Sequence, residues 1–132
     1  MNYQKILNQP KTIAIVGLSD DPTRPSFQIA KYLIDNNFTI IPVNPGISKV
    51  FGQKSYSDVS SIPPNINIDI VDVFRRSDQV VFIVEDVIKS GRKPLIWLQE
   101  GIENSDAQKL ADKNHLKIIS NLCIMKVHHH LP

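Results

Sequence analysis

The stretch Lys11-Thr-Ile-Ala-Ile-Val-Gly-Leu-Ser-Asp-Asp-Pro-Thr-Arg-Pro-Ser26 decides how this chain folds. β-Branched and apolar residues run from Thr12 to Val16 and stop at Gly17. A polar turn follows, and Ser26 can then open a helix with apolar residues at helical spacing. Strand, loop and helix N-terminus in that order form the first crossover of a parallel α/β sheet. Such a crossover points backbone N–H groups and the positive end of a helix dipole at the carboxyl edge of the strands, which favours a phosphate. The turn is not the dinucleotide fingerprint G-x-G-x-x-G, because only Gly17 matches and Ser19, Asp20, Asp21 and Pro22 follow it. Two carboxylates facing a phosphate would repel it, so the positive charge has to come from Arg24. The same residues also suit an ordinary βα loop capped by Ser26.

Working outward, residues 2–10 suit a short helix or arm that packs Ile6 and Leu7 on the sheet edge and ends at Pro10. Beyond the turn, Phe27, Ile29, Ala30, Tyr32, Leu33 and Ile34 form a helical stripe that closes at Asn36-Asn37, residues tolerant of the left-handed conformation. Phe38 to Ile41 is a short second strand, and Pro42-Val-Asn-Pro-Gly46 ends it in a rigid loop. Val50 to Gly52 reads as a connector, Tyr56 to Ile62 as a single helical turn, and Pro63-Pro64 as a stop. Ile68 to Phe74 alternates apolar and acidic residues, which fits either a half-buried strand or a third parallel strand ending in Asp72 to Arg76. Ser77 can cap the next helix, whose stripe is Val80, Val81, Ile83, Val84, Val87 and Ile88 and whose end is Ser90-Gly91. A fourth strand, Leu95 to Leu98, stops at Gln99; a polar helix spans Asn104 to Asn114; Leu116 to Ile119 is the fifth strand. This alternation predicts an α/β, Rossmann-like doubly wound sheet of about five parallel strands with helices on both faces. Topology would then gather Gly17 to Ser26, Val43 to Gly46, Val73 to Arg76 and Gln99 to Gly101 on one ligand edge.

The 132 residues give an expectation of one domain, 1–132, with a single real core. A composition 42% hydrophobic and 21% charged is that of a soluble globular protein, and a net charge of +2 is too small to argue for a nucleic-acid surface. No apolar run reaches the roughly 20 residues that span a bilayer, and the first ten residues lack the apolar centre of a signal peptide. The expected compartment is the cytoplasm, with which a lone Cys123 is compatible.

Six blocks occur in order along the chain: Gly17-x-Ser19, Arg24-Pro25-Ser26, Val43-Asn44-Pro45, Asp72-Val73-Phe74-Arg75, Leu98-Gln99-x-Gly101-Ile102, and Cys123-Ile124 with His128. From about Lys11 to His128 they resemble the small, stand-alone CoA-binding proteins, similar in fold to the N-terminal CoA-binding domain of the succinyl-CoA synthetase α subunit. The resemblance implies coenzyme A or an acyl-CoA as ligand. Its phosphates would sit on the backbone around Gly17 and Ser19, with Arg24 and Ser26 adding side-chain hydrogen bonds beside Pro25. Val43, Asn44 and Pro45 would line the adenosine side, Val73, Phe74 and Arg75 would flank the adenine or the pantetheine arm, and Gln99 would sit near the pantetheine exit. Lys49 would reach a ribose phosphate. The synthetase holds its phosphohistidine in a second domain, so that chemistry does not carry over to any of the four His residues here.

The remaining features have two readings each. His128-His129-His130 could hold a metal, but consecutive residues rarely converge on one ion, and packing or capping suits His128 better. Cys123 could form a mixed disulfide with CoA or be a small buried residue. Trp97 and Phe74 could stack on adenine, although Trp97 lies inside a strand. Asp20 and Asp21 could be an acid/base pair, but neighbours in a polar turn seldom converge, which favours solvated or capping roles. Arg76 is solvated or paired to Asp78. With no complete catalytic set, the reading is a non-catalytic or regulatory CoA-binding protein. The alternative is a nucleotide-dependent enzyme, either an acyl-CoA transferase working with a partner chain or an NAD-linked protein. NAD is disfavoured by the missing glycines and by Val43-Asn44, where an acidic ribose ligand would stand. A protein partner or a homodimer stays open.

Overall fold

The computed structural model describes residues 2–132. Strand β1 (Thr12–Val16) lies between β2 (Thr39–Val43) and the later strand β5 (Ile70–Val73), and β6 (Leu95–Leu98) and β7 (Ile118–Ile119) extend the sheet beyond β5. The spatial order is β2-β1-β5-β6-β7, and every pairing is parallel. A small antiparallel hairpin, β3 (Lys49–Val50) and β4 (Gln53–Lys54), stands apart from it. The expected doubly wound architecture is therefore borne out.

Alternation along the strands divides the interior into two layers. Ala14, Val16, Val71, Val73, Ile96 and Leu98 face helices α3 (Val80–Lys89) and α4 (Ser105–Lys113). Ile13, Ile15, Ile70, Trp97 and Ile119 face α1 (Tyr3–Leu7), α2 (Pro25–Asp35) and α5 (Ile124–His129). Parallel crossovers are right-handed, so moving from β1 outward to β2 places α2 on one face, while moving the other way through β5, β6 and β7 places α3 and α4 on the opposite face. The chain thus reverses direction between β1 and β5, and the loops leaving those two strands diverge there.

Several local expectations are corrected. The second strand runs on through Pro42, because β2 is an edge strand. The Pro42 carbonyl points away from β1 to accept the Tyr56 N–H at 3.0 Å, so the missing proline N–H also lies on the outer side. The connector around Val50 is a hairpin whose turn residues Phe51 and Gly52 both have positive φ, 54° and 71°. Helix α1 packs on a face of the sheet, with the Tyr3 ring 5.8 Å from that of Trp97. The segment before α3 is a 3-10 turn, Ser77–Gln79, and Ser77 caps nothing of its own; its hydroxyl accepts the Glu103 N–H. Helix α2 closes at Asn36 as expected, with Asn37 at φ 71°, and Asn104 caps the start of α4.

Asp72 departs most from the alternating pattern. It sits inside β5 between Ile15 and Trp97, is fully buried, and neither carboxylate oxygen makes a hydrogen bond with the described residues. Burial pushes its carboxyl well above the usual range, and the neighbouring Val73 amide opposes this only in part. Trp97 is core, as expected, and its indole N–H donates to the Leu122 carbonyl at 2.9 Å.

Candidate functional site

The β1–α2 turn begins with a close backbone approach. The Gly17 N–H donates to the Val43 carbonyl at 2.8 Å, and φ is 88° at Gly17. A Cβ there would stand 2.3 Å from the Phe74 carbonyl oxygen, so glycine is required both for its conformation and for lack of space. The Ser19 N–H donates to Ser26 Oγ at 3.0 Å, and the Asp21 N–H donates to Ser19 Oγ at 3.0 Å. Both backbone groups expected to cradle a phosphate, those of Gly17 and Ser19, are therefore engaged within the protein. Each serine hydroxyl acts as an acceptor and keeps its own proton to donate.

The free donors lie one step further along. Helix α2 starts at Pro25, with Arg24 at the cap position in extended conformation and no side chain capping it. Ser26 is the second helical residue instead of the cap. Gln28 is the first residue whose N–H closes a helical bond, to the Arg24 carbonyl, so the N–H groups of Ser26 and Phe27 have no partner among the described residues. The guanidinium groups of Arg24 and Arg75 make no hydrogen bond or ion pair with the described residues. An uncapped helix N-terminus between two free guanidiniums is a favourable place for an anion.

Asp20 and Asp21, the awkward carboxylates of the turn, are exposed and line neither cavity at this edge. Asp21 accepts the Thr23 N–H at 2.9 Å and the Thr23 hydroxyl at 2.8 Å, and these bonds lower its pKa. Its charge is spent on shaping the turn.

Two adjoining cavities occupy the switch point, of about 530 Å³ and 790 Å³. Gly17, Ser19, Pro25, Ser26, Asn44 and Gln99 line the first, Val43 and Pro45 line the second, and Arg24, Phe74 and Arg75 stand between them and line both. Eleven of the thirteen residues singled out in the sequence thus meet at one edge. The other two do not: Val73 is fully buried in the α3/α4 layer, and Lys49 is exposed on the hairpin. Asn44 is a clamp, its Nδ2 donating to the Leu18 carbonyl at 3.0 Å and its Oδ1 accepting the Gly46 N–H at 2.8 Å. Gln99 is 4% exposed, and its Oε1 accepts the Ile124 N–H at the start of α5.

The sequence did not single out Ile29, Arg76, Glu100 and Ile102 as site residues, yet all four line the first cavity. For Glu100 and Ile102 the signal was their place in the block from Leu98 to Ile102. Glu100 pairs with Lys126 at 2.9 Å, and Arg76 pairs with Asp78 at 3.3 Å. Cys123, buried, also lines this cavity. His128 packs edge-on to Tyr32 and Phe38, and its Nδ1 lies 2.7 Å from the Tyr32 hydroxyl, the packing role expected of it. Among the described residues no group of three His, Cys, Asp or Glu side chains is arranged to hold a metal, and no helix is long and apolar enough to cross a membrane.

A five-stranded parallel sheet with helices on both faces and a crevice at its switch point defines an α/β protein of Rossmann-like type. Residues 11–129 match the CoA binding domain, and the chain belongs to that family. It is 38% identical over 125 residues to uncharacterized protein YneT of Bacillus subtilis (strain 168), covering 95% of this chain and 90% of the relative. It is 28% identical over 134 residues to an acetate–CoA ligase [ADP-forming] of Methanocaldococcus jannaschii, covering 94% of this chain but only 19% of the ligase. A hypothetical protein from Pyrococcus horikoshii OT3 has a similar structure, with TM-score 0.90, 37% identity, and coverage of 98% of this chain and 89% of that one.

Proposed function

We propose that this protein binds coenzyme A or an acyl-CoA across the carboxyl edge of its sheet and acts as a non-catalytic or regulatory CoA-binding module. The observation that carries the reading is the pair of unpaired guanidiniums, Arg24 and Arg75, flanking the uncapped N-terminus of α2. In this reading the phosphates of CoA meet the free N–H groups of Ser26 and Phe27, the Ser19 and Ser26 hydroxyls, and Arg24. Phe74 and Arg75 form the wall between the two cavities against which the adenine or the pantetheine arm lies, and Asn44 holds the Val43–Pro45 loop in place on the adenosine side. Gln99 offers its amide nitrogen, which has no partner among the described residues, to an amide of the pantetheine arm. Val73 supports this wall from behind without touching ligand, and Lys49 reaches the ligand only if the hairpin bends towards it.

The M. jannaschii ligase, in which a domain like this is a fifth of the chain, supports the CoA assignment; its ligase activity belongs to a protein about five times longer. Titration calorimetry with CoA, acetyl-CoA, NAD and ATP tests the proposal. Binding of CoA or acetyl-CoA in preference to NAD and ATP is expected, and no CoA binding up to millimolar concentration overturns it.

A further inference from the structure

The opposite edge of the sheet, where the strands begin, carries a second feature unrelated to the CoA reading. A groove of about 630 Å³ lies there between α1 and the starts of β1, β5, β6 and β7. Lys5, Lys11, Lys93 and Lys117 line it, with His115 beside them, and Asp69 is the only carboxylate. Four lysines against one aspartate leave a net charge of +3 in the groove, in a chain whose total is +2. The rest of the protein is therefore slightly negative, and the basic character is concentrated here.

Internal needs account for part of this charge only. The Lys93 ammonium donates to the Asn114 carbonyl at 2.7 Å, satisfying the end of α4. Asp69 is committed to the Thr12 N–H at 2.8 Å and to the Asn67 amide at 3.0 Å. The ammonium groups of Lys5, Lys11 and Lys117 have no hydrogen bond or ion pair among the described residues, whose three salt bridges all lie elsewhere.

The floor of the groove decides which anion suits it. Half-buried Ile6 and Leu95 supply a small apolar surface, with Ile70 and Pro94 buried beneath it. This edge collects the carbonyl ends of α2, α3 and α4, which weigh most against a compact, highly charged phosphate; Asn2, the cap of the five-residue α1, also lines the groove, and its Oδ1 is already taken by the Lys5 N–H. Carboxylates spread along a chain and interleaved with apolar side chains match both the cationic rim and the apolar floor. We propose that this groove docks an acidic, apolar-interleaved peptide segment of a partner protein, on the edge of the sheet opposite the nucleotide crevice, so that a partner and a ligand can be held at once.

The test uses the whole protein and a fluorescein-labelled synthetic peptide of alternating glutamate and leucine, read by fluorescence anisotropy. Its competitors are the same peptide with glutamine for glutamate, sodium tripolyphosphate, and a single-stranded oligonucleotide. The acidic peptide is expected to bind at least about tenfold more tightly than the glutamine peptide, an advantage lost near 1 M salt, where the screening length falls to about 3 Å. Lys11→Glu and Lys117→Glu should each weaken it by about fivefold, the scale of an exposed ion pair. Lys5→Gln with Lys117→Gln provides a milder pair should charge reversal lower the melting temperature, and CoA titration of every variant reports on the far edge. Equal binding of the glutamine peptide, tighter binding of tripolyphosphate or the oligonucleotide, or full affinity in the folded lysine variants overturns the proposal.

Discussion

Replacing Gly17 with alanine tests the geometry of the switch point directly. The new Cβ would fall 2.3 Å from the Phe74 carbonyl oxygen and 3.1 Å from its carbon, both backbone atoms that no rotamer change can move. The φ of 88° costs a non-glycine residue about 1–2 kcal/mol, and forcing β1 and the β5–α3 turn apart adds about 1–3 kcal/mol. Gly52→Ala separates the two contributions, because φ is 71° there but nothing lies within 4 Å of the added carbon. In a chain of this size each kcal/mol lowers the melting temperature by about 4 °C. Gly52→Ala should therefore lose about 4 °C and Gly17→Ala about 10 °C or more in a calorimetric scan. Phe74 and Arg75 would be displaced in Gly17→Ala alone, so CoA titration should show weakened binding there and none of that loss in Gly52→Ala. If the two variants melt together and bind alike, the close approach of Gly17 to Phe74 is not what holds the crevice in shape.

Arg24→Ala should weaken CoA by about 10- to 100-fold, the value of a charge-assisted hydrogen bond of about 1.5–3 kcal/mol, and calorimetry with dephospho-CoA alongside shows whether the pyrophosphate or the ribose phosphate is the partner. The Arg92 guanidinium donates to the carbonyls of Val59, Ile62, Pro63 and Ile66; Arg92→Ala should cost about 2–3 kcal/mol in urea unfolding and leave CoA binding intact. For Asp72 the folded-state pKa is raised above the unfolded one, so the folded state holds a proton that the unfolded chain has released. Stability should be greatest below about pH 4 as far as this group is concerned, and fall by about 1.4 kcal/mol per pH unit until the raised folded value is passed. Asp72→Asn removes that slope: its urea midpoint should match the wild type near pH 4 and exceed it at pH 7, and parallel curves across that range would refute the assignment.

Legibility in the sequence followed the range of the forces involved. The helix end at Asn36-Asn37 could be placed because capping and left-handed turns are local, decided by a side chain and the few backbone groups around it. The convergence of the candidate site residues was legible for a different reason: in an alternating α/β chain, topology alone brings the loops after β1, β2, β5 and β6 together. Pro42 was misplaced because its tolerance in a strand depends on which edge of the sheet that strand occupies. Asp69 and Asp72 look alike in the alternating run from Ile68 to Val73, yet one bonds the start of β1 and the other is sealed beside Trp97. No local pattern separates them, since their fates depend on what covers each end and face of β5.

The same distinction bears on how, in the proposed complex, a turn with one glycine would serve the purpose that three serve in a dinucleotide fold. In the fingerprint, glycines let a pyrophosphate approach bare backbone. Here the backbone N–H groups of Gly17 and Ser19 are consumed in bracing β1 against β2 and in folding Ser26 back onto the turn. That bracing keeps the start of α2 free of a capping side chain, and it leaves the Ser19 and Ser26 hydroxyls with protons to give. The anion in the proposed complex is therefore met by a helix end, two hydroxyls and two guanidiniums. Asp21, which threatened the phosphate assignment when only the sequence was considered, belongs to the brace: by tying down Thr23 it sets the direction from which Arg24 enters the helix.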